Sequence, residues 1–136
     1  MRQGDLGMET YRGPVLVIGR ILLAVIFLIF GILKLMNPEA QGAYVASGGL
    51  PSWLVWPAGV FEVVGAVLIG IGWQTRIVAG LFFLFVIVTA LLYHNQWADA
   101  NQLAHFMKNM AIAGGFLFVF SEGPGPHSID EREGRK

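Results

Sequence analysis

No cysteine occurs among the 136 residues, which excludes disulfide staples, thiol redox chemistry, iron–sulfur clusters and cysteine-ligated zinc. Charge is scarce as well. Asp, Glu, Lys and Arg make up 13% of the chain, against about 25% in an ordinary soluble domain. Neither sign prevails, with nine basic and nine acidic residues, so nothing draws the chain to nucleic acid. Internal repeats, low-complexity tracts, a phosphate-cradling loop and a Ser/His/Asp set are missing too. What is abundant is apolar surface: 55% of the residues, with a mean hydropathy of +0.62. The length allows one domain, and an integral membrane protein is the class that remains.

A helix that crosses a bilayer needs about 20 mainly apolar residues. Four stretches meet this: Pro14 to Met36, Trp53 to Trp73, Arg76 to Tyr93, and Gln102 to Phe120. Pro14 suits a first helical turn. Thr75 is the expected N-cap of the third span, and Asn101 or Asp99 that of the fourth. Ser121 to Pro126 breaks the last one. Val15–Leu33 holds one charge and Ile77–Leu92 none, so a soluble bundle with polar stripes is disfavoured. The first run is too long for a cleaved signal peptide and lacks a small-residue cleavage pattern, so it reads as retained.

The expected fold is therefore all-α, an up-down bundle of four transmembrane helices. A short interfacial helix is a candidate over Glu39–Ser47 in the first loop, before the Gly48-Gly49-Leu50-Pro51 turn. Residues 1–13 and 122–136 read as polar, mobile tails around a 14–121 membrane domain. Four spans put both termini on one side. That side holds Arg2, Arg12, Arg20, Arg76, Arg132, Arg135 and Lys136; the other holds Lys34 and Lys108. The asymmetry places both termini in the cytoplasm, and the chain in the cell inner membrane. Trp53, Trp56, Tyr93 and Trp97 fit an outer aromatic belt, and Trp73 an inner one.

Charges within the spans are the informative residues, because a bilayer makes them costly unless they face inward and pair. Arg20 and Lys34 share one face of the first span with Ala24, Phe27 and Gly31. The bland reading of Arg20 alone is that it snorkels to the cytoplasmic interface. Glu62 lies roughly 13 Å deep in the second span. Gly65 on its own face lets a neighbouring helix approach. An isolated carboxylate there would neutralise or cost several kcal/mol, so Glu62 needs a cation or donor. Lys34, Lys108 and His94 are the candidates at that level. With Asn109, they form a donor-rich polar core in the outer half, suited to a quinone head group or a small anion. The alternative is a network that only fixes helix pairing and register. Proton or solute transport is the third reading. His94 and His105, or His105 with Met107 and Met110, are weak grounds for haem or copper, and no metal site is assigned.

The order and spacing of several short segments resemble the DoxX family of small four-helix membrane proteins. They are Gly19-Arg20-Ile21-Leu22 and Phe30-Gly31-Ile32-Leu33-Lys34-Leu35 in the first span, then Gly48-Gly49-Leu50-Pro51. Phe61-Glu62-Val63-Val64-Gly65 and Leu68 to Arg76, including Gly70, follow in the second span and its turn. His94 and Lys108-Asn109-Met110-Ala111 are similar to later elements. The resemblance covers about Pro14 to Ser121. It implies the fold and the polar core of Arg20, Lys34, Glu62, His94, Lys108 and Asn109, with Gly31, Gly65 and Gly70 at helix contacts. Some members are subunits of thiosulfate:quinone oxidoreductase or related membrane complexes, so a quinone-linked role is implied. The missing CxxC separates the chain from four-helix thiol oxidoreductases.

The expectation is a membrane subunit or accessory protein of a quinone-linked oxidoreductase system. No cofactor has an evident ligand set; a quinone is the candidate. Its expected surroundings are the lipid bilayer and a larger membrane complex or a homo-oligomer. A non-catalytic structural or assembly subunit is the first rival, and a small-solute exporter the second.

Overall fold

A computed structural model describes residues 3–135, and no strand occurs among them. Helix α1 spans Gln3–Met36, α2 Pro38–Ser47, α3 Val55–Ile71, α4 Thr75–Tyr93, α5 Ala100–Glu122 and α6 Ile129–Arg132. Four of them are long and apolar enough to cross a membrane: α1, α3, α4 and α5. They run up and down, with α1 packed chiefly on α3 and α4 chiefly on α5. The expected all-α bundle is the fold.

Local signals explain most boundaries. α1 starts before its apolar run, so Pro14 stands inside the helix rather than in its first turn. Asn37-Pro38 closes α1 and opens α2, with Pro38 at the position where a helix does not need its N–H. α2 is the short helix expected in the first loop. Gly72 ends α3 at φ +72°, and its N–H and that of Trp73 reach back to Leu68. Gln74, not Thr75, is the N-cap residue of α4, at φ 52°. Asp99 caps α5 as expected, accepting from the N–H groups of Asn101 (2.8 Å) and Gln102 (3.1 Å).

The centre of the bundle is aromatic. Phe82 of α4 meets Phe27 of α1 at 4.4 Å between ring centroids, Phe61 of α3 at 5.0 Å and Phe116 of α5 at 5.0 Å. One ring thus touches all three other spans. Ala24, Ala66, Ile69, Ala79, Val86 and Ala113 fill the space around it, and small residues there let the backbones close in. The inward stripe of α1 is the one expected, since Arg20, Ala24, Phe27 and Gly31 are all buried. Outward faces carry exposed Ile, Leu, Val and Phe along every span. That surface suits hydrocarbon and no other solvent.

The C-terminal segment departs from expectation. Instead of a loose tail, residues 123–130 fold back beneath the bundle. Gly13 and Leu16 of α1 lie against Pro126, His127 and Gly125, and Ser128 and Asp130 are buried.

Candidate functional site

The loop end of the bundle, opposite the termini, brings polar groups together in two sets. The first joins α1 to α3. Lys34 Nζ donates to both oxygens of Glu62, at 3.1 and 2.9 Å. Glu62 is only 4% exposed. The contact depends on backbone proximity. A Cβ on Gly31 would stand 2.9 Å from Glu62 Cβ and 2.9 Å from the Val63 nitrogen. One on Gly59 would stand 2.9 Å from Leu35 Cδ2. The two glycines allow the helices to approach until a lysine in the last turn of α1 reaches a carboxylate in mid-α3. The pair is the arrangement a charge in hydrocarbon requires, with both members desolvated together.

The second set joins α4 to α5. His94, just past the end of α4, places Nδ1 3.0 Å from Gln102 Oε1. An amide oxygen only accepts, so Nδ1 is the donor, and Nε2 is left as an acceptor when the ring is uncharged. The His94 ring stacks on His105 with centroids 5.0 Å apart. His105 Nδ1 lies 3.1 Å from Lys108 Nζ. An ammonium only donates, so His105 carries its proton on Nε2. The stack therefore offers one acceptor and one donor nitrogen.

The six expected polar residues are not one cluster. Lys34 pairs with Glu62; Lys108 does not, and instead lies exposed on α5 beside His105. Asn109 is half-buried and makes no side-chain hydrogen bond among the described residues. Arg20 sits near the opposite end. It does not snorkel outward: it is 2% exposed, and its Nη2 donates to the His127 carbonyl at 3.3 Å. Gly31 and Gly65 lie at helix crossings, the latter facing Phe82 of α4. Gly70 has nothing within 4 Å, so no helix crosses there. No group of three or more His, Asp or Glu residues suited to a metal occurs among the described residues.

Two features were not read from the sequence. Tyr93, expected in an aromatic belt, stacks on Tyr44 of α2 at 4.7 Å and donates to the Val45 carbonyl at 3.1 Å. It clamps the short helix over the loop end. At the termini end, Asp130 accepts from the N–H groups of Gln74 (2.9 Å) and Thr75 (2.8 Å) and from the Thr75 hydroxyl (2.8 Å). Burial alone would raise its pKa. The bonds from Thr75 and Gln74, with the charge of Arg135, outweigh this and hold the carboxyl below its ordinary range. A sequence signal existed. Ser128 and Glu131 have capping-box spacing, and the Ser128 hydroxyl accepts from the Glu131 N–H at 3.1 Å.

Comparison with known proteins agrees with this architecture. The DoxX family model matches residues 15–95. The inner membrane protein YphA of Escherichia coli is 38% identical over 97% of this chain and 98% of its own length. The inner membrane protein YqjF of the same organism is 31% identical over 95% of this chain and 99% of its own. CatD of Bacillus subtilis, provisionally named an oxidoreductase, is 35% identical over 50% of this chain and 51% of its own. No solved structure matches.

Proposed function

The chain belongs to the DoxX family of membrane proteins, and from that premise we propose that it serves a quinone-linked oxidoreductase system as a membrane subunit or accessory protein. In this reading it crosses the cell inner membrane four times with both termini in the cytoplasm, as the Lys and Arg asymmetry favours. The observation that carries the proposal is the desolvated Lys34–Glu62 pair, with a stacked His94–His105 pair at the same end of the bundle. Intramembrane ionisable groups of this kind mark ion, proton or ligand paths by default. The partial match to CatD supports a redox context.

Quinone chemistry needs a donor for each oxygen as it is reduced and an acceptor when it is reoxidised. His105, accepting from Lys108 at Nδ1, can donate from Nε2, and His94, donating at Nδ1, accepts at Nε2 when its ring is uncharged. Lys34 holds positive charge at the same end of the bundle, paired with Glu62. A nearly all-apolar groove of about 460 Å³ runs between α3 and α4, lined by residues including Phe61, Val64, Gly65 and Val78. It offers a long isoprenoid tail a path along the bundle. Electrons for that reduction come from a partner in the oxidoreductase system, and the quinol gives them up on reoxidation.

The test is Glu62→Gln in the native complex. The expected result is a loss of quinone-dependent activity with unchanged membrane insertion, and native purification from mild detergent should return quinone in the lipid extract. Full activity in the variant would refute the site. A second reading is favoured by Lys108, which lies exposed within a spanning helix and has no carboxylate partner among the described residues. Here α5 docks onto another subunit and the role is structural. In that case Glu62→Gln lowers abundance of the assembly, and no quinone co-purifies.

A further inference from the structure

We propose that α5 docks, through the face that carries Lys108, on a transmembrane helix of a different protein, and that this helix presents a carboxylate at the level of Lys108. The inference rests on the reading of the chain as one subunit of a membrane assembly, and it names what the neighbouring subunit must bring.

The chain sets its own standard for a lysine inside a span. Lys34 donates to both oxygens of a buried acid, Glu62. Lys108 has no such partner. It lies nine residues past the Asp99 cap of α5, about 13 Å along the helix. Its side chain is exposed, and no carboxylate reaches it among the described residues. The one polar atom beside its amine is His105 Nδ1, at 3.1 Å. His105 belongs to the same span, so the contact does not carry the amine out to the interface, where a snorkelling lysine would place it. An ammonium has three donors, and two remain after His105. Asn109, the next residue, is half-buried and also makes no side-chain hydrogen bond among the described residues. A span that faces hydrocarbon with a charge and no counter-ion is costly.

The face around Lys108 is open to a neighbour. In α5 only Ala113 and Phe116 are buried, whereas α3 buries residues from Val55 to Ile69 and α4 from Thr75 to Ala90. Ala104 and Ala111, about one turn to either side of Lys108, are exposed, and side chains this small let another helix come close. Met107 between them is 57% exposed and adapts its shape to what covers it.

Charge complementarity selects the occupant. Between Pro14 and Ser121 the acids are Glu39, Glu62 and Asp99. Glu39 lies in the first turn of α2 and Asp99 caps α5, so neither stands inside a span. Glu62 is buried and already held by Lys34. A second copy, inserted in the same direction, therefore has no carboxylate to offer at this level, and its own Lys108 would repel. The partner is another membrane protein with an Asp or Glu inside a spanning helix. Pairing that acid with Lys108 fixes both the height and the rotation of one helix against the other.

Dicyclohexylcarbodiimide in native membranes tests this. The reagent partitions into the bilayer and activates an acid as its O-acylisourea. A touching amine attacks the carbonyl, an amide forms, and dicyclohexylurea leaves with the elements of water. Lys34 and Glu62 supply a control within the chain, since they should become joined. We expect a second link, from Lys108 to an Asp or Glu in a spanning segment of another protein, identified by mass spectrometry of the joined peptide. Lys108→Arg should keep the assembly and lose that link. Lys108→Glu sets two acids together and should lower the partner retained in mild detergent at least about tenfold. A Lys34–Glu62 link with none at Lys108 overturns the proposal, and so does a link from Lys108 to a second copy. Should the control link not form, the comparison of Lys108→Glu with Lys108→Arg decides, and equal retention of the partner overturns the proposal. An intact assembly with Lys108 unlinked defeats this inference alone. A chain that forms no link and runs by itself in mild detergent defeats the subunit reading as well.

Discussion

Glu62 and Asp130 are equally buried, each 4% exposed, and they are held by unlike means. Glu62 meets a full opposite charge, with Lys34 reaching both of its oxygens. Asp130 meets backbone N–H groups, a hydroxyl and the end of a helix, while Arg135 stays 3.9 Å off. The first arrangement lies among spans with nothing else polar beside it. The second lies where the chain leaves the bundle and backbone donors are free. A buried acid takes whatever its level in the membrane offers: a side chain inside, the peptide group at the edge.

The sharpest way to break this contrast is to remove one charge. Lys34→Met should cost about 3–5 kcal/mol, because it leaves an uncompensated carboxylate. Lys34→Met with Glu62→Leu should recover most of that loss. Thermal denaturation in detergent reads both, and a double variant no better than the single would mean that the pair is not what holds α1 to α3. Gly31→Ala attacks the same seam sterically. Its Cβ would stand 2.9 Å from backbone of α3, so a loss of about 1–3 kcal/mol is expected in the same assay.

At the other acid the effects are smaller. Asp130→Ala should cost about 1–2 kcal/mol, the range of a lost helix cap, and should speed tryptic cleavage after the already exposed Arg132 by loosening the segment that carries it. Asp130→Asn keeps an acceptor oxygen and should cost less. The pH dependence follows from the direction of the shift. The folded carboxyl lies below its unfolded value, so its stabilisation is complete above about pH 4 and fades as pH falls through the folded pKa. Proteolysis of the C-terminal segment by an acid-active protease should therefore rise only below about pH 4, and Asp130→Asn should flatten that rise. Gly70→Ala, at a site with nothing within 4 Å, is the smallest effect: a gain of up to about 1 kcal/mol from helix propensity.

The same contrast explains how much was legible beforehand. The four spans were plain, because hydrocarbon demands long apolar runs. That Glu62 needs a cation followed from its depth. Which cation it takes did not follow, since Lys34, Lys108 and His94 all end near one level. The choice rests on helix rotation and on how closely α1 and α3 approach, which Gly31 and Gly59 settle together. Arg20 and the C-terminal segment were misread for one reason. A polar segment outside the last span carries no periodicity to announce that it folds back, so Arg20 looked free to reach water and residues 122–136 looked loose. The Ser128–Glu131 spacing was the one local hint.

The ring of Phe82, touched by every other span, has a consequence for passage between the two ends. The rings that meet it are all phenylalanine, and the buried polar side chains among the described residues, Arg20, Glu62, Thr75, Ser128 and Asp130, stand outside that group. A proton moving between Glu62 and Arg20 would need a carrier other than these rings.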